Sequence, residues 1–122
     1  MSRPSSPAAW TAVGEWLVRT LLTLWDTPGS FAPFLALVRG AVGSEAAATM
    51  LREFLTREVL GRIAAIAAPN RPEFRASVAG SQIVGLAMAR YIVRIAALAD
   101  ADREEIVAAI GPAIQRYLTG PI

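Results

Sequence analysis

Apolar residues recur along this chain at helical rather than strand spacing, and Pro, Gly, Ser and Asp punctuate them into five blocks. In the first, about 7–25, Trp10, Val13, Leu17, Leu21 and Leu24 form one stripe, widened by Trp16, Leu22 and Trp25. "DTPGS" at 26–30 ends it in a Pro–Gly turn. The second block, 31–42, has Ser30 as its expected N-cap and Pro33 in its first turn, where a missing N–H costs little. Gly43 closes it. Ser44 caps a third block, 45–68, striped by Ala47, Leu51, Leu55, Val59, Ile63 and Ile66, with Met50 and Phe54 alongside. Glu53–Arg57 and Glu58–Arg62 have the spacing of i,i+4 pairs, and Gly61 is a candidate break. "APNRP", 68–72, is a loop, and a fourth block follows over roughly 73–97. "LADAD", 98–102, leads into the fifth, where Asp102 and Glu105 have capping-box spacing. Ile106, Val107, Ile110, Ala113, Ile114, Tyr117 and Leu118 share one face there, Pro112 predicts a bend, and Gly120–Pro121 a stop. No alternating β-branched or aromatic run interrupts the series. The fold expected is all-α, a bundle of five to six helices.

The fourth block is apolar all round. One face carries Phe74, Ser77, Val78, Ser81, Gly85, Met88, Ile92 and Ile95; the opposite face carries Ala79, Ile83, Leu86, Ala87 and Val93, flanked by Arg75, Arg90 and Arg94. A helix without a polar face has to be buried on every side. A small chain covers one side, and leaving Ile83, Leu86 and Val93 in water forfeits about 1.5–3 kcal/mol each. The expectation is a homodimer in which the last two long helices meet their symmetry mates as a four-helix bundle. Its seam would comprise Ile83, Leu86, Arg90, Arg94, Ile106, Ile110, Ile114 and Tyr117, with the arginines reaching Glu104 or Glu105 of the partner. The competing reading is a central helix in a monomer. The first face is expected to point inward. Its small residues, set against bulky ones, predict an apolar ligand pocket lined by Trp16, Phe34, Met50, Phe54, Ser81, Gln82, Gly85 and Met88. Gln82 would supply the hydrogen bond, since a buried amide needs partners. The alternative is that the bulky side chains fill the gap.

Composition narrows the chemistry. The 122 residues are 54% hydrophobic and 18% charged, enough for one sizeable core. Twelve arginines, no lysine and ten acids leave a net charge of +2. The pI of 9.9 reflects the lack of groups titrating near neutrality rather than a basic surface. Arg52, Arg57 and Arg62 turn about 140° from one to the next on a helix and make no stripe for nucleic acid. With neither Cys nor His, disulfides, thiolate nucleophiles, soft-ligand zinc sites and His bases are excluded. There is no GxGxxG and no lysine for a phosphate loop. Asp100, Asp102, Glu104 and Glu105 precede an apolar run, where capping outweighs cation binding. Glu15 and Asp26 stand isolated. Neither cofactor, metal nor catalysis is expected. Residues 1–13, Pro/Ser-rich without an apolar signal core, read as an extension and the start of the first helix, and 14–122 as one domain. The uncharged stretch 76–89 would span about 21 Å as a helix, short of a ~30 Å bilayer core, so a soluble cytoplasmic domain is expected.

"SQIVGLAMARYIVRIAALADADREEIVAAIGPAIQRYLTG" (81–120) resembles the end of TetR-family transcriptional repressors. "GEWLVRTLLTLWDTP" (14–28) and "ALVRGAVGSEAAATMLREFLTREVL" (36–60) are similar to earlier segments of the same C-terminal domain. The resemblance implies a ligand-binding and dimerisation domain whose last two long helices form the dimer bundle. In such proteins an N-terminal helix-turn-helix reads the operator, and a small molecule entering the C-terminal core respaces the two DNA-reading heads. The partners it implies are a second copy of the chain and a small apolar effector. DNA would be reached only through a helix-turn-helix, which is expected to be missing, since the sequence opens where the regulatory domain would. The alternatives are a freestanding homo- or heterodimerisation module and a carrier of apolar small molecules.

Overall fold

In the computed structural model, which describes residues 12–122, the first stripe becomes α1, Val13–Asp26, with Val13, Leu17, Val18 and Leu22 buried. The expected start of this helix and Trp10 lie outside the described residues. Next comes α2, Ala32–Gly43, with Pro33 in its first turn. Then α3, Glu45–Phe54, is capped as its sequence predicts: the Ala47 N–H donates to Ser44 Oγ at 3.2 Å. The chain stays helical through Gly61, but its winding loosens to a π stretch over Leu55–Leu60 before tightening again in α4, Gly61–Ala64. After the expected loop comes α5, Pro72–Ala87, with Pro72 in its first turn and a π extension over Met88–Ile92. A short α6, Ala96–Ala99, precedes α7, Arg103–Thr119. Among the described residues there is no strand, and the chain is all-α. None of these helices is long and apolar enough to cross a membrane.

Two capping expectations are corrected. The Ser30 hydroxyl donates backward to the Leu24 and Thr27 carbonyls, so it closes α1 instead of opening α2. Asp102 occupies the N-cap of α7 in extended conformation, but its side chain makes no cap bond. The fourth block also ends earlier than expected, because Arg94 adopts a left-handed conformation at φ 57°.

The core is organised by α7, which packs against α1 on one side and α5 on the other. Ile106, Val107, Ile114 and Leu118 of α7 meet the four apolar residues of α1 and Ala76, Ala79, Ile83 and Leu86 of α5; Ile63 and Ile66 close one end. Helices α1 and α7 touch backbone to backbone. A Cβ on Gly14 would collide with the Gly111 carbonyl and the Gln115 backbone, and one on Gly111 would strike Glu15. The Gly14 N–H, an orphan of the first helical turn, donates to Gln115 Oε1 at 2.8 Å. Pro112 sits inside α7 on its exposed side, where water can take the carbonyl its ring leaves unpaired.

Arg75 is the buried cation of the core, 2% exposed. It donates to the Asn70 carbonyl at 2.8 Å, to Asn70 Oδ1 at 3.2 Å and to the Tyr117 carbonyl at 3.1 Å. The last contact sets a positive charge at the C-terminal end of α7, where the helix dipole favours it.

The two faces of α5 are the reverse of the expected ones. Ile83 (6% exposed) and Leu86 (5%) lie under α7 and α4 of their own chain, while Phe74, Ser77, Ser81, Val84 and Gly85 face outward. Small residues explain the choice: Ala76, Ala79 and Ala87 have no exposure at all, and Gly80 passes close to Leu60. The serines on the outer face bond their own helix, Ser77 Oγ to the Glu73 carbonyl at 2.8 Å and Ser81 Oγ to the Val78 carbonyl at 2.7 Å.

Candidate functional site

The C-terminal ends of α1 and α5 and the start of α7 converge on one carboxylate. Asp26 was expected to be isolated, yet it accepts from Tyr91 Oη at 2.6 Å and from Arg103 Nε at 3.1 Å, with Arg90 Nη2 at 3.5 Å from both oxygens. Arg103 also reaches Thr23 Oγ1 at 3.3 Å. Arg90 turns its other terminal nitrogen to the Leu98 carbonyl at 2.7 Å and the Ala101 carbonyl at 3.0 Å, pinning the segment between α5 and α7. Its Nε is buried without a partner. On the outer side Arg19 and Glu104 pair at 2.7 Å, again joining α1 to α7.

The electrostatics follow from this crowding. Burial raises the Asp26 carboxyl pKa, but the hydrogen bonds from Tyr91 and Arg103 and the charges of Arg90 and Arg103 outweigh it, so the net shift is downward. Burial, then the hydrogen bond to Asp26, pushes Tyr91 up to about 12. Asp26 is therefore an anion and Tyr91 a neutral donor throughout the physiological range.

Tyr91 belongs as well to an aromatic cluster that holds the start of α2. Its ring lies 4.9 Å from Phe31 and 6.1 Å from Trp25, and Phe34 stacks on Trp25 at 5.7 Å. Beside this cluster a cleft of about 430 Å³ opens to solvent, lined by Arg90, Tyr91, Arg94, Ala96, Ala99 and Asp100. Arg94 stands where helices usually end in glycine: it is left-handed, and the following Ile95 N–H returns to the Ala89 carbonyl at 2.9 Å.

The residues expected to line an interior pocket do not converge. Phe34 joins the aromatic cluster and Trp16 packs against the core. Met50 is 71% exposed and Phe54 43%. Ser81 and Gly85 lie on the outer face of α5, and Gln82 and Met88 are half-buried at its margins. A Cβ at Gly85 would meet only open space, so Gly85 hollows nothing. The residues of the expected dimer seam are likewise placed mostly within the protomer. Ile83, Leu86, Ile106 and Ile114 are buried inside the protomer, and Ile110 and Tyr117 are half-buried against its core. Arg90 is turned inward to Asp26, and Glu104 is taken by Arg19 of its own chain. Of the seam residues Arg94 alone is exposed, on the rim of the cleft.

Asp26, Tyr91 and Arg103 escaped sequence reasoning because they lie 65 and 77 residues apart. The only trace in the chain is an acid ending an apolar run, Leu21–Trp25, broken only by Thr23.

Compared with known families, residues 12–118 match the model of the tetracyclin repressor-like C-terminal domain. No curated protein and no solved structure matches the chain.

Proposed function

Because the chain belongs to the tetracyclin repressor-like C-terminal domain family, we propose that it is the effector-sensing and dimerising part of a transcriptional repressor, working in the cytoplasm. The DNA is read by a helix-turn-helix outside the family domain. The observation that carries this reading is the outward stripe of α5. Phe74 (45% exposed) and Val84 (38%) lie there among Ser77, Ser81 and Gly85, which allow a second helix to approach closely. Apolar area on a long helix, interleaved with small side chains, suits the same helix of a second copy in an isologous contact.

The coupling is a population shift: the effector binds the DNA-incompetent arrangement of the dimer more tightly than the competent one. Helix α1 is the element nearest the N-terminal side, and the Asp26 cluster ties its far end to α5 and α7. A displacement of either helix therefore reaches α1 directly.

Light scattering tests the dimer. The chain is expected at twice its 13.0 kDa mass. Val84→Glu, on the outer face, is expected to give a monomer with an unchanged helical circular-dichroism spectrum. Ile83→Glu buries a charge in the protomer core and is expected to unfold it. A wild-type chain that stays at monomer mass at micromolar concentration overturns the dimer and leaves a monomeric carrier in its place.

A further inference from the structure

We propose that the cleft between the end of α5 and α6 binds a small monoanionic carboxylate with an apolar body. The site lies within one protomer and away from the interior set described above, so it stands whether or not the chain dimerises. Its charge is the first argument. Arg94 is exposed at the rim and makes no hydrogen bond or ion pair among the described residues, so its guanidinium fork is free. Arg90 lies deeper, its side chain 9% exposed. Of the charged residues on the lining, Arg90 is engaged with Asp26, which leaves Arg94 as the cation open to a ligand and Asp100 as the one acid. A planar carboxylate matches a guanidinium in a two-point bond.

The second argument is the rest of the lining. Tyr91, Ala96 and Ala99 give the cleft an apolar part of about the same extent as its polar part. At about 430 Å³ it falls within the usual 300–1,000 Å³ range of small-molecule sites. Asp100, on the same lining, repels a second negative charge. A phosphate dianion or a dicarboxylate is thus disfavoured beside a monocarboxylate.

The third argument is conformational. Arginine is held in a left-handed backbone that glycine would occupy without strain, at the one point where its side chain borders the cleft. The packing core does not use that side chain, so a ligand is what it remains free to meet.

Calorimetry on the full 122-residue chain at pH 7 tests this with phenylacetate, the neutral phenylacetamide and the dianionic phenylmalonate. Phenylacetate is expected to bind one site per chain, and the other two about tenfold or more weakly. Arg94→Gln is expected to weaken phenylacetate by about tenfold without changing the melting curve of the free protein. Ala96→Trp, which fills the cleft and leaves every charge in place, is expected to do the same. Asp100→Asn is expected to narrow the gap between phenylmalonate and phenylacetate. No phenylacetate binding at about 10 mM, equal binding of the amide, or undiminished binding by both Arg94→Gln and Ala96→Trp overturns the proposal. None of these outcomes bears on the dimer, which light scattering reports separately.

Discussion

Gly14 and Gly111 set the distance between α1 and α7, because any side chain at either position meets backbone or Glu15 of the facing helix. Gly14→Ala gains about 1 kcal/mol of helix propensity but overpacks a backbone contact, at a cost of about 1–3 kcal/mol or more. A net loss of stability is expected in urea unfolding; a gain would show that the helices part freely. Arg94 presents the opposite case. A non-glycine residue in the left-handed region costs about 1–2 kcal/mol, part of which glycine gives back by loosening the unfolded chain. Arg94→Gly is therefore expected to raise the unfolding free energy by about 0.5–1 kcal/mol while weakening carboxylate binding by about tenfold, as Arg94→Gln does, a gain in stability at the expense of function. Neither position was legible in sequence. Glycine inside a helical pattern looks the same whether it marks a close crossing, as Gly14 does, or open space, as Gly85 does.

Among elements, the Asp26 cluster is the joint where α1, α5 and α7 meet, and its protonation states give it a defined pH range. The Asp26 carboxyl titrates below its ordinary value in the folded chain. Its contribution is complete above the unfolded carboxylate pKa of about 3.9 and is lost as pH falls through the folded value. The stability difference between wild type and Asp26→Asn is expected to be largest near neutrality and to shrink toward pH 3, as read by urea unfolding across that range. Tyr91 runs the other way. Raised to about 12, it contributes fully below its ordinary pKa near 10 and loses that contribution as pH climbs through the folded value. Tyr91→Phe is expected to cost about 1–2 kcal/mol at pH 7, since the lost bond goes to a charged acceptor. The helices themselves were largely legible, because apolar spacing and Pro, Gly and Ser punctuation are local signals. What they miss is winding. Nothing in "LTREVL" or "MARYI" distinguishes a π stretch from an α-helix.

For the whole molecule, stability is unevenly spread. The pair α2–α3 contains no buried residue, whereas α1, α5 and α7 carry most of the core. Hydrogen exchange is expected to be fastest in α2 and α3 and slowest in α1 and α7, because local opening follows buried contact. Uniform protection would mean that something covers the hairpin in solution. The all-α class and family were legible here, while the sidedness of α5 was not. Both of its faces carry apolar residues, so the pattern does not tell which of them its own chain covers. The deciding detail, alanines small enough to seat α5 on α7, acts only once the helices meet.

The bond from the Gly14 N–H to Gln115 spans 101 residues and has a consequence for biogenesis. At synthesis rates of about 5–20 residues per second, the opening helix leaves the ribosome roughly 5–20 s before the segment that must receive it. During that interval its oily flank has only solvent or a chaperone for company. Nascent chains stalled short of Gln115 are accordingly expected to be protease-sensitive throughout, and emergence of α7 to switch on protection of α1 and α5 together.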